Sequence, residues 1–232
     1  METDRGRNGV MKYAKKRFYR TFFILIVFAI AAVFIPVISE SGKAEAASKT
    51  VKMTFYSQGV KCGDNVYLML NGYDITELYK INIKTSKKAR LMKYKFGEGG
   101  YGGNVTIKNG HIYYTISDDM SAGLYRMTTS GKNKKKLAKM HYQAKYAISG
   151  TTIYYDEFSF HNPETGVMKK MDLAGYKKTS AQGYRISKKI LKTNAKGYKL
   201  VKKYKKTVGG HKYYSYYYRK PNGKMIYLDT IN

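Results

Sequence analysis

The amino-acid sequence predicts an all-β chain. After residue 48, apolar and aromatic residues alternate with polar ones at a period of two, most clearly over residues 78–83. The chain has 25 tyrosines and no tryptophan, and tyrosine suits half-buried pleated surfaces, where the ring packs and the hydroxyl stays wet. No segment beyond residue 48 shows a convincing helical stripe with caps. The best helix candidate, residues 186–191, is short.

A turn–strand unit recurs along the chain. Its first strand appears as Asn65-Val66-Tyr67, His111-Ile112-Tyr113 and Thr152-Ile153-Tyr154, and its second as residues 78–81, 124–127 and 167–171. A glycine followed by lysines recurs at Gly131 and Gly175, residues 190–200 resemble a degenerate half unit, and the tail reads as a hairpin around Pro221-Asn222-Gly223. A spacing of about 41–46 residues with four short strands is typical of propeller blades. We therefore expect a β-propeller-like array of about four four-stranded repeats, as a closed small ring or a partial propeller.

The N-terminus has the pattern of a secretory signal. A basic region with lysines and arginines at residues 12–20 precedes an apolar run over residues 22–35, and Ala44-Glu45-Ala46 supplies the small residues that a signal peptidase reads. We expect residues 1–46 to be a signal peptide, with Met11 as an alternative start, and residues 47–232 to be the basic repeat domain. An uncleaved N-terminal membrane anchor is the alternative, although the run is shorter than the roughly 20 residues that a span needs. Both readings place the domain outside the cell.

The repeat motif resembles a known group of domains. Tyr113-Tyr114-Thr115 and Tyr154-Tyr155-Asp156, with a later Leu-Tyr-Arg-Met-type strand, resemble bacterial secreted domains of unknown function likened to the β-propeller of low-density lipoprotein receptor-related proteins. Those propellers carry Tyr-Trp-Thr-Asp blade motifs, and this chain matches them in part and without tryptophan. The resemblance implies a propeller architecture over residues 59–180 and supplies no activity. The receptor propellers have six blades, so this chain could instead form a four-bladed ring, an open array or half of an oligomer.

Charge is the strongest indication of a partner. The chain carries 44 basic and 15 acidic residues, a formal charge of +29, and 36 basic and 11 acidic residues remain from residue 47 onward. Such a surface attracts polyanions, although lysines also discourage aggregation of strand edges. The lone cysteine, Cys62, is interpreted as a small buried hydrophobe because a single cysteine forms no internal disulfide.

The sequence offers no convincing catalytic or metal-binding set. The histidines at 111, 141, 161 and 211 occupy different places in their units and have no metal-ligand spacing. Two acidic pairs, Asp118-Asp119 and Asp156-Glu157, follow equivalent strands and could bind calcium or a sugar at one rim, or serve only as polar loops. The glycine-rich stretch at residues 97–103 precedes a strand, so it is interpreted as an inter-blade loop rather than a phosphate cradle. We expect no cofactor and no enzymatic activity.

The remaining candidates are lysines interleaved with tyrosines, because ammonium groups attract anions and aromatic rings stack on sugars or bases. Simple alternation on an edge strand, with tyrosine inward and lysine outward, explains them equally well. We expect a secreted or cell-surface binding module for an anionic cell-wall polymer or acidic glycan. The alternatives are a scaffold whose rim loops grip a protein partner, a glycan-degrading enzyme using the two acidic pairs, and a homo-oligomer that completes the ring; nucleic acid would bind non-specifically. The candidate polyanion-binding residues are Lys132, Lys134, Lys135, Lys136, Lys139, Lys196, Lys199, Lys202, Lys203, Lys205, Lys206, Tyr198 and Tyr204.

Overall fold

The computed structural model describes residues 49–96, 99–118, 121–142, 145–158 and 167–231, all of whose regular elements are strands. The predicted signal peptide lies outside the described residues. In chain order the strands are β1 (Lys49–Tyr56), β2 (Val60–Cys62), β3 (Asn65–Asn71), β4 (Ile75–Asn82), β5 (Lys88–Lys95), β6 (Tyr101–Lys108), β7 (His111–Ser117), β8 (Ser121–Thr128), β9 (Lys135–His141), β10 (Tyr146–Ser149), β11 (Thr152–Glu157), β12 (Val167–Asp172), β13 (Thr179–Ser180), β14 (Tyr184–Leu191), β15 (Lys199–Val208), β16 (His211–Arg219) and β17 (Met225–Ile231).

The strands form a propeller-like array of antiparallel sheets, as the repeat predicts. Blade 1 is β2-β3-β4-β5, blade 2 is β6-β7-β8-β9, and blade 3 is β10-β11-β12-β13. A single residue pair, Glu157 with Met140, joins blades 2 and 3 into one hydrogen-bonded sheet. The fourth unit, sheet 4, has three strands in the order β15-β16-β17. The prediction of an all-β chain of about four repeats is therefore confirmed, with the last repeat reduced by one strand in the described chain.

The sheets pack face to face through apolar side chains. Blade 1 packs on sheet 4 through residues such as Leu70 and Tyr218, and on blade 2 through residues such as Leu78 and Ile112. Blade 2 packs on blade 3 around Met140. Because both faces of blades 1 and 2 are covered, their central strands are buried along most of their length.

A parallel pair, β1 with β14, adds to the blades. The pairing runs without a break from Lys49 with Tyr184 to Tyr56 with Leu191. β1 also contacts β10 and β6, with Val51 and Met53 packed against Ala147. The best helix candidate, residues 186–191, lies in β14, where the segment satisfies its backbone hydrogen bonds by pairing with β1.

The repeated glycines dock one blade on the next. Gly131 and Gly175 turn the chain after the third strand of their blades, with φ of 85° and 81°, in the left-handed region that glycine tolerates best. A Cβ at Gly131 would lie 3.2 Å from Leu91 of blade 1, and one at Gly175 would lie 2.8 Å from Leu137 of blade 2. Glycine recurs at this place because the turn bends sharply and the preceding blade approaches closely.

The repeated tyrosine also links neighbouring blades. Tyr67 of blade 1 donates its hydroxyl hydrogen bond to the carbonyl of Thr129 in the turn of blade 2, at 3.5 Å. Tyr113 of blade 2 makes the equivalent bond to the carbonyl of Leu173 in the turn of blade 3, at 3.0 Å. This use of the hydroxyl explains why tyrosine rather than phenylalanine stands at this place in the first two repeats.

Two adjacent tyrosines provide a test of this role. The Tyr114 hydroxyl is buried and has no hydrogen-bond partner among the described residues, unlike that of Tyr113. We expect Tyr113→Phe to lower the free energy of unfolding by about 1 kcal/mol, because the partly buried Leu173 carbonyl loses one of its two donors and keeps only Arg126. We expect Tyr114→Phe to leave it unchanged or raise it by about 1 kcal/mol, because an unsatisfied hydroxyl is removed. Urea denaturation of both variants measures the difference, and equal losses would contradict the inter-blade role.

Two further sequence predictions need correction. Cys62 is exposed rather than buried, because it ends β2 at the tight turn that leads into β3. The glycine-rich stretch is only partly a loop: Gly102 and Gly103 lie within β6, where the register of pairing with β7 shifts between Gly102 and Val105. Residues 97 and 98 lie outside the described chain.

Candidate functional site

The two predicted lysine groups lie on different sheets. Residues 132–139 form the turn before β9 and most of β9 itself, which is the last strand of blade 2. Residues 196–206 lead into and form most of β15 in sheet 4. Blade 1 packs against both blade 2 and sheet 4. The fold therefore does not bring the thirteen predicted residues into one site.

The lysines around β9 contact aromatic rings of three blades. The Lys134 ammonium lies 6.0 Å from the ring centre of Tyr94 in blade 1 and 5.4 Å from that of Tyr125 in blade 2. The Lys135 ammonium lies 3.8 Å from the ring centre of Tyr176, which follows β12 in blade 3. Lys136 and Lys139 lie over Tyr125 and Phe158 at 5.9 and 4.1 Å. These contacts cover the seams between blades, so this lysine group also has a packing role.

The lysines of β15 lie over tyrosines of β16. The distances from ammonium nitrogen to ring centre are 3.8 Å from Lys202 to Tyr214, 5.6 Å from Lys203 to Tyr217 and 5.8 Å from Lys206 to Tyr213. Antiparallel pairing of the two strands sets these neighbours, for example Lys206 opposite Tyr213. We call these six residues the lysine–tyrosine hairpin: Lys202, Lys203, Lys206, Tyr213, Tyr214 and Tyr217.

Both faces of this hairpin carry lysine and tyrosine. Lys202 shares a face with Tyr216, which belongs to the core between sheet 4 and blade 1. Lys203 shares the opposite face with Tyr217, whose ring lies 5.5 Å edge-on from that of Tyr227 in β17. The simple alternation of inward tyrosine and outward lysine is therefore not what β15 shows. Every residue of β15 from Lys202 to Val208 is exposed.

The other predicted residues of this group have different positions. Tyr198 stacks on Tyr218 at 5.7 Å and is partly buried against the core. Tyr204 is 60% exposed and meets Tyr214 edge-on at 6.0 Å. The remaining three lysines are exposed beside the hairpin or, for Lys205, at the irregularity in its pairing; they are Lys196, Lys199 and Lys205.

Sheet 4 has a large excess of positive charge. From residue 196 onward its basic residues are Lys196, Lys199, Lys202, Lys203, Lys205, Lys206, Lys212, Arg219, Lys220 and Lys224, and its acidic residue is Asp229. Asp229 already has cationic and hydroxyl partners, since its Oδ2 lies 3.3 Å from Arg90 Nη1 and accepts from the Tyr79 hydroxyl at 3.2 Å. Burial acts to raise the pKa of Asp229, but the Thr230 backbone N–H, the Tyr79 hydroxyl and Arg90 together lower it. The Asp229 carboxylate is therefore engaged by Arg90 and Tyr79 of blade 1, and no other acidic side chain lies in the described part of sheet 4.

Sequence reasoning missed the aromatic half of this surface. The tyrosines of β16 became candidates only once the register placed them beneath the lysines. One signal was available: His211-Lys-Tyr-Tyr-Ser repeats the pattern of His111-Ile-Tyr-Tyr-Thr at a distance of 100 residues. That match aligns β16 with β7 and the preceding β15 with β6. Lys88 was also missed; it reaches from blade 1 to within 4.9 Å of the Tyr227 ring centre.

The acidic and histidine candidates do not assemble into a site within the described chain. No group of three His, Cys, Asp or Glu side chains with the geometry to hold a metal occurs among the residues that the structure describes. His111 Nδ1 lies 2.8 Å from its neighbour Asn109's carbonyl, and the His211 ring packs on Tyr73 at 5.5 Å. Burial raises the pKa of Asp156, against the opposing effect of its bond from the Lys145 backbone N–H. Asp119 and His161 lie outside the described residues.

The described chain has no helix of the length and apolar character that a membrane span requires.

Comparison with known proteins yields distant likenesses only. No protein family matches the sequence, and no curated protein is similar to it. Among solved structures, TolB from Acinetobacter baumannii is 11% identical with a TM-score of 0.41, over 75% of this chain and 42% of TolB. Prolyl oligopeptidase B from Galerina marginata is 13% identical with a TM-score of 0.40, over 73% of this chain and 24% of the oligopeptidase. A chain of a nidogen/laminin complex is 10% identical with a TM-score of 0.38, over 78% of this chain and 79% of that one. The chain thus spans less than half of the first two proteins, and these likenesses decide neither its activity nor its ligand.

Proposed function

We propose that this protein is a secreted or cell-surface, non-catalytic module that binds anionic surface polymers or acidic glycans through the lysine–tyrosine hairpin. The observation that carries the proposal is the pairing of Lys202, Lys203 and Lys206 with tyrosine rings on an exposed strand. From residue 196 onward the sequence contains ten basic residues and one acidic residue, Asp229. The Asp229 carboxylate already pairs with Arg90. A flexible polyanion can therefore lie along the whole length of this exposed surface.

The two residue types contribute differently to binding. Lysine ammonium groups are strongly hydrated point charges that attract anions over about the 10 Å Debye length at 0.1 M salt. Tyrosine rings offer flat apolar area on which sugar rings stack, and their hydroxyls stay in water. Holding an ammonium over a ring stabilises its position by roughly 0.5–1 kcal/mol at an exposed site. The rings therefore favour particular positions of the three ammonium groups over the other positions that these side chains can reach.

Export is part of the proposal. The basic region, apolar run and Ala44-Glu45-Ala46 motif of residues 1–46 support a secretory signal. The motif resemblance to bacterial secreted domains likened to the lipoprotein-receptor propeller points to the same compartment. Outside the cell the chain meets wall polymers and glycans, so nucleic acid, which its charge would also attract, is not the proposed ligand.

The test is a matched pair of triple variants. Lys202→Gln, Lys203→Gln and Lys206→Gln together remove the hairpin's three charges, and Lys61→Gln, Lys87→Gln and Lys95→Gln remove three exposed charges from blade 1. We expect the hairpin variant to bind bacterial walls that carry anionic polymers about tenfold more weakly at 0.1 M salt, from three contacts of roughly 0.5 kcal/mol each. The blade 1 variant should lose no more than about threefold. Walls stripped of the polymers should bind neither protein.

The outcomes separate the alternatives. Equal losses in the two variants would mean that net charge, not the hairpin, determines binding. Retention that persists as salt rises would contradict a polyanion ligand, since screening weakens such binding steeply. That result would favour a protein partner gripped by the loops at the blade ends. Sugar release that stops in Asp156→Ala or Glu157→Ala would contradict the non-catalytic assignment.

A further inference from the structure

A cavity of about 160 Å³ with both polar and apolar side chains in its wall lies beside β1, and none of its described lining residues belongs to the lysine–tyrosine hairpin. Its wall comes from β1, β6, β7 and β14, together with the end of β3 and the residues that open β10. A buried water requires roughly 10–15 Å³ of such volume. The cavity therefore has room for a small molecule of several heavy atoms rather than for one or two waters.

The lining combines cations and hydroxyls. Lys145 and Lys188 supply two ammonium groups, Thr115 and Ser117 supply hydroxyls, and no Asp or Glu side chain is among the described lining residues. Asp156 is not among the described lining residues, and its Oδ2 accepts a hydrogen bond from the Lys145 backbone N–H at 3.5 Å. Two cations beside a polar cavity without a lining carboxylate favour an anionic occupant.

One buried group in the lining lacks a partner. Asn104 is only 7% exposed, and its side-chain Oδ1 makes no hydrogen bond to any described residue. Its amide nitrogen donates weakly to Thr106 Oγ1 at 3.5 Å. A buried amide oxygen without a donor costs about 1–3 kcal/mol, and a hydroxyl of a bound molecule would satisfy it.

The wall around Asn104 is fixed by close packing. Asn71 holds Gly102, two residues before Asn104 in β6, since its Oδ1 accepts from Gly102 N at 2.8 Å and its Nδ2 donates to the Gly102 carbonyl at 3.0 Å. A Cβ at Gly103 would collide with the Thr115 hydroxyl. Gly103 therefore lets β6 approach β7 closely at the cavity wall.

An apolar side is also present. Phe55 and Met53 of β1 line the cavity, and the Lys188 ammonium lies 4.9 Å from the Phe55 ring centre. An aromatic ring beside cations and hydroxyls suits a molecule with one apolar face and several polar substituents, as sugar rings have.

We propose that this cavity binds a compact hydroxylated anion of the sugar-acid class. Its carboxylate pairs with the ammonium groups of Lys145 and Lys188, its hydroxyls bond to Asn104, Thr115 and Ser117, and its ring packs on Phe55. The same chemistry is found in a free sugar acid and in the terminal unit of an acidic glycan. This site is separate from the proposed polymer-binding hairpin and does not depend on it.

Titration calorimetry of the full chain with glucuronate tests the proposal. We expect saturable binding of glucuronate in the millimolar range or tighter. Methyl glucoside, which lacks the carboxylate, and acetate, which lacks the hydroxyls, should each bind at least tenfold more weakly. Lys188→Met keeps the aliphatic contact with Phe55 and should weaken glucuronate binding at least tenfold. Lys189→Met, its exposed neighbour on the opposite face of β14, is the matched control and should change affinity less than twofold.

Further measurements distinguish a free sugar acid from the end of a glycan, and they separate failure of this proposal from failure of the polymer-binding proposal. A glucuronate oligomer that binds as tightly as the monomer, and loses binding when its terminal unit is blocked, identifies the end of a glycan; binding of the monomer alone identifies a free sugar acid. Equal binding of glucuronate and methyl glucoside, or equal affinity of Lys188→Met and Lys189→Met, would overturn the proposal, as would no binding at tens of millimolar. The hairpin triple variant should bind glucuronate normally, so this proposal and the polymer-binding proposal can fail independently.

Discussion

Raising the pH above 10 is expected to unfold this protein cooperatively, because its core contains ionisable phenols. The almost completely buried tyrosine side chains include Tyr114, Tyr146, Tyr155 and Tyr218. Burial raises the pKa of Tyr218 to about 12, and it raises the pKa values of the other three further above the ordinary value of 10.0. The negative charge of Glu157, which accepts the Tyr155 hydroxyl bond, adds to the effect at Tyr155.

The sign of the effect follows from the preference of the folded state for the neutral phenol. The stabilisation is fully present below the unfolded pKa of 10 and is lost as the pH rises from there through the folded pKa. Each phenol then contributes a loss of about 1.4 kcal/mol per pH unit. Several such phenols together remove a few kcal/mol per pH unit, which is a large part of the roughly 5–15 kcal/mol stability of a typical domain. Loss of lysine charge in the same range relieves self-repulsion and acts in the opposite direction.

Tyrosinate absorbance and circular dichroism, followed together against pH, measure this transition. Tyr204 is exposed and lies outside the core, so it provides the control position. The buried set should ionise only as the dichroism of the sheets is lost. Tyr155→Phe should lower the slope of stability against pH in this range, and Tyr204→Phe should leave it unchanged. Ionisation of all tyrosines in one phase near pH 10, with the fold intact, would contradict the prediction.

Removing Arg90 is expected to cost about 2–3 kcal/mol of stability, because it leaves a buried carboxylate short of its main partner. Glu77 is fully buried, and its Oε1 lies 2.9 Å from Arg90 Nη1 and 3.5 Å from Lys93 Nζ. Its Oε2 accepts from the Tyr79 hydroxyl at 2.8 Å. Breaking a buried ion pair typically costs about 3–5 kcal/mol. We expect a smaller loss here because Arg90 is 43% exposed and Lys93 still pairs with Glu77.

A surface pair provides the control. Lys84 and Asp64 lie 2.9 Å apart with side chains 73% and 51% exposed, and Lys84→Met should change the free energy of unfolding by less than about 0.5 kcal/mol. Urea denaturation of Arg90→Met and Lys84→Met, with an unchanged denaturant slope, measures both. The double variant Arg90→Met with Glu77→Gln should recover part of the loss, since no buried charge is then unpaired. Equal effects of Arg90→Met and Lys84→Met would show that the buried network adds nothing.

The same network bears on how sheet 4 is held. Arg90 and Tyr79 belong to blade 1 and contact Asp229 of β17, so the charges cross the interface between blade 1 and sheet 4. The lowered pKa of Asp229 means that this contribution is present above the ordinary pKa of aspartate and is lost as the pH falls through the lowered value. Acid should therefore loosen the sheet that carries the lysine–tyrosine hairpin.

Local sequence was sufficient for the strands and the repeat. Turns such as Asn109-Gly110 and Pro221-Asn222-Gly223, with period-two alternation on either side, encode hairpins within a few residues, and the structure pairs them as expected. The recurrence of Gly131 and Gly175 also followed from sequence, although only the approach of Leu91 and Leu137 explains it. The sequence was sufficient to identify the lysine candidates. It did not predict that they would be divided between blade 2 and sheet 4.

Tertiary structure decided what depends on segments far apart in the chain. Residues 186–191 form a strand only because β1, about 135 residues earlier, offers a parallel edge. The register of β15 on β16 brings Tyr213, Tyr214 and Tyr217 into the candidate surface. The cavity beside β1 forms where β1 and β14 meet β6 and β7. Turn and strand preferences act over neighbouring residues, so sequence determines them directly. Pairing between distant segments depends on the whole set of competing contacts, and only the folded chain shows which of them form.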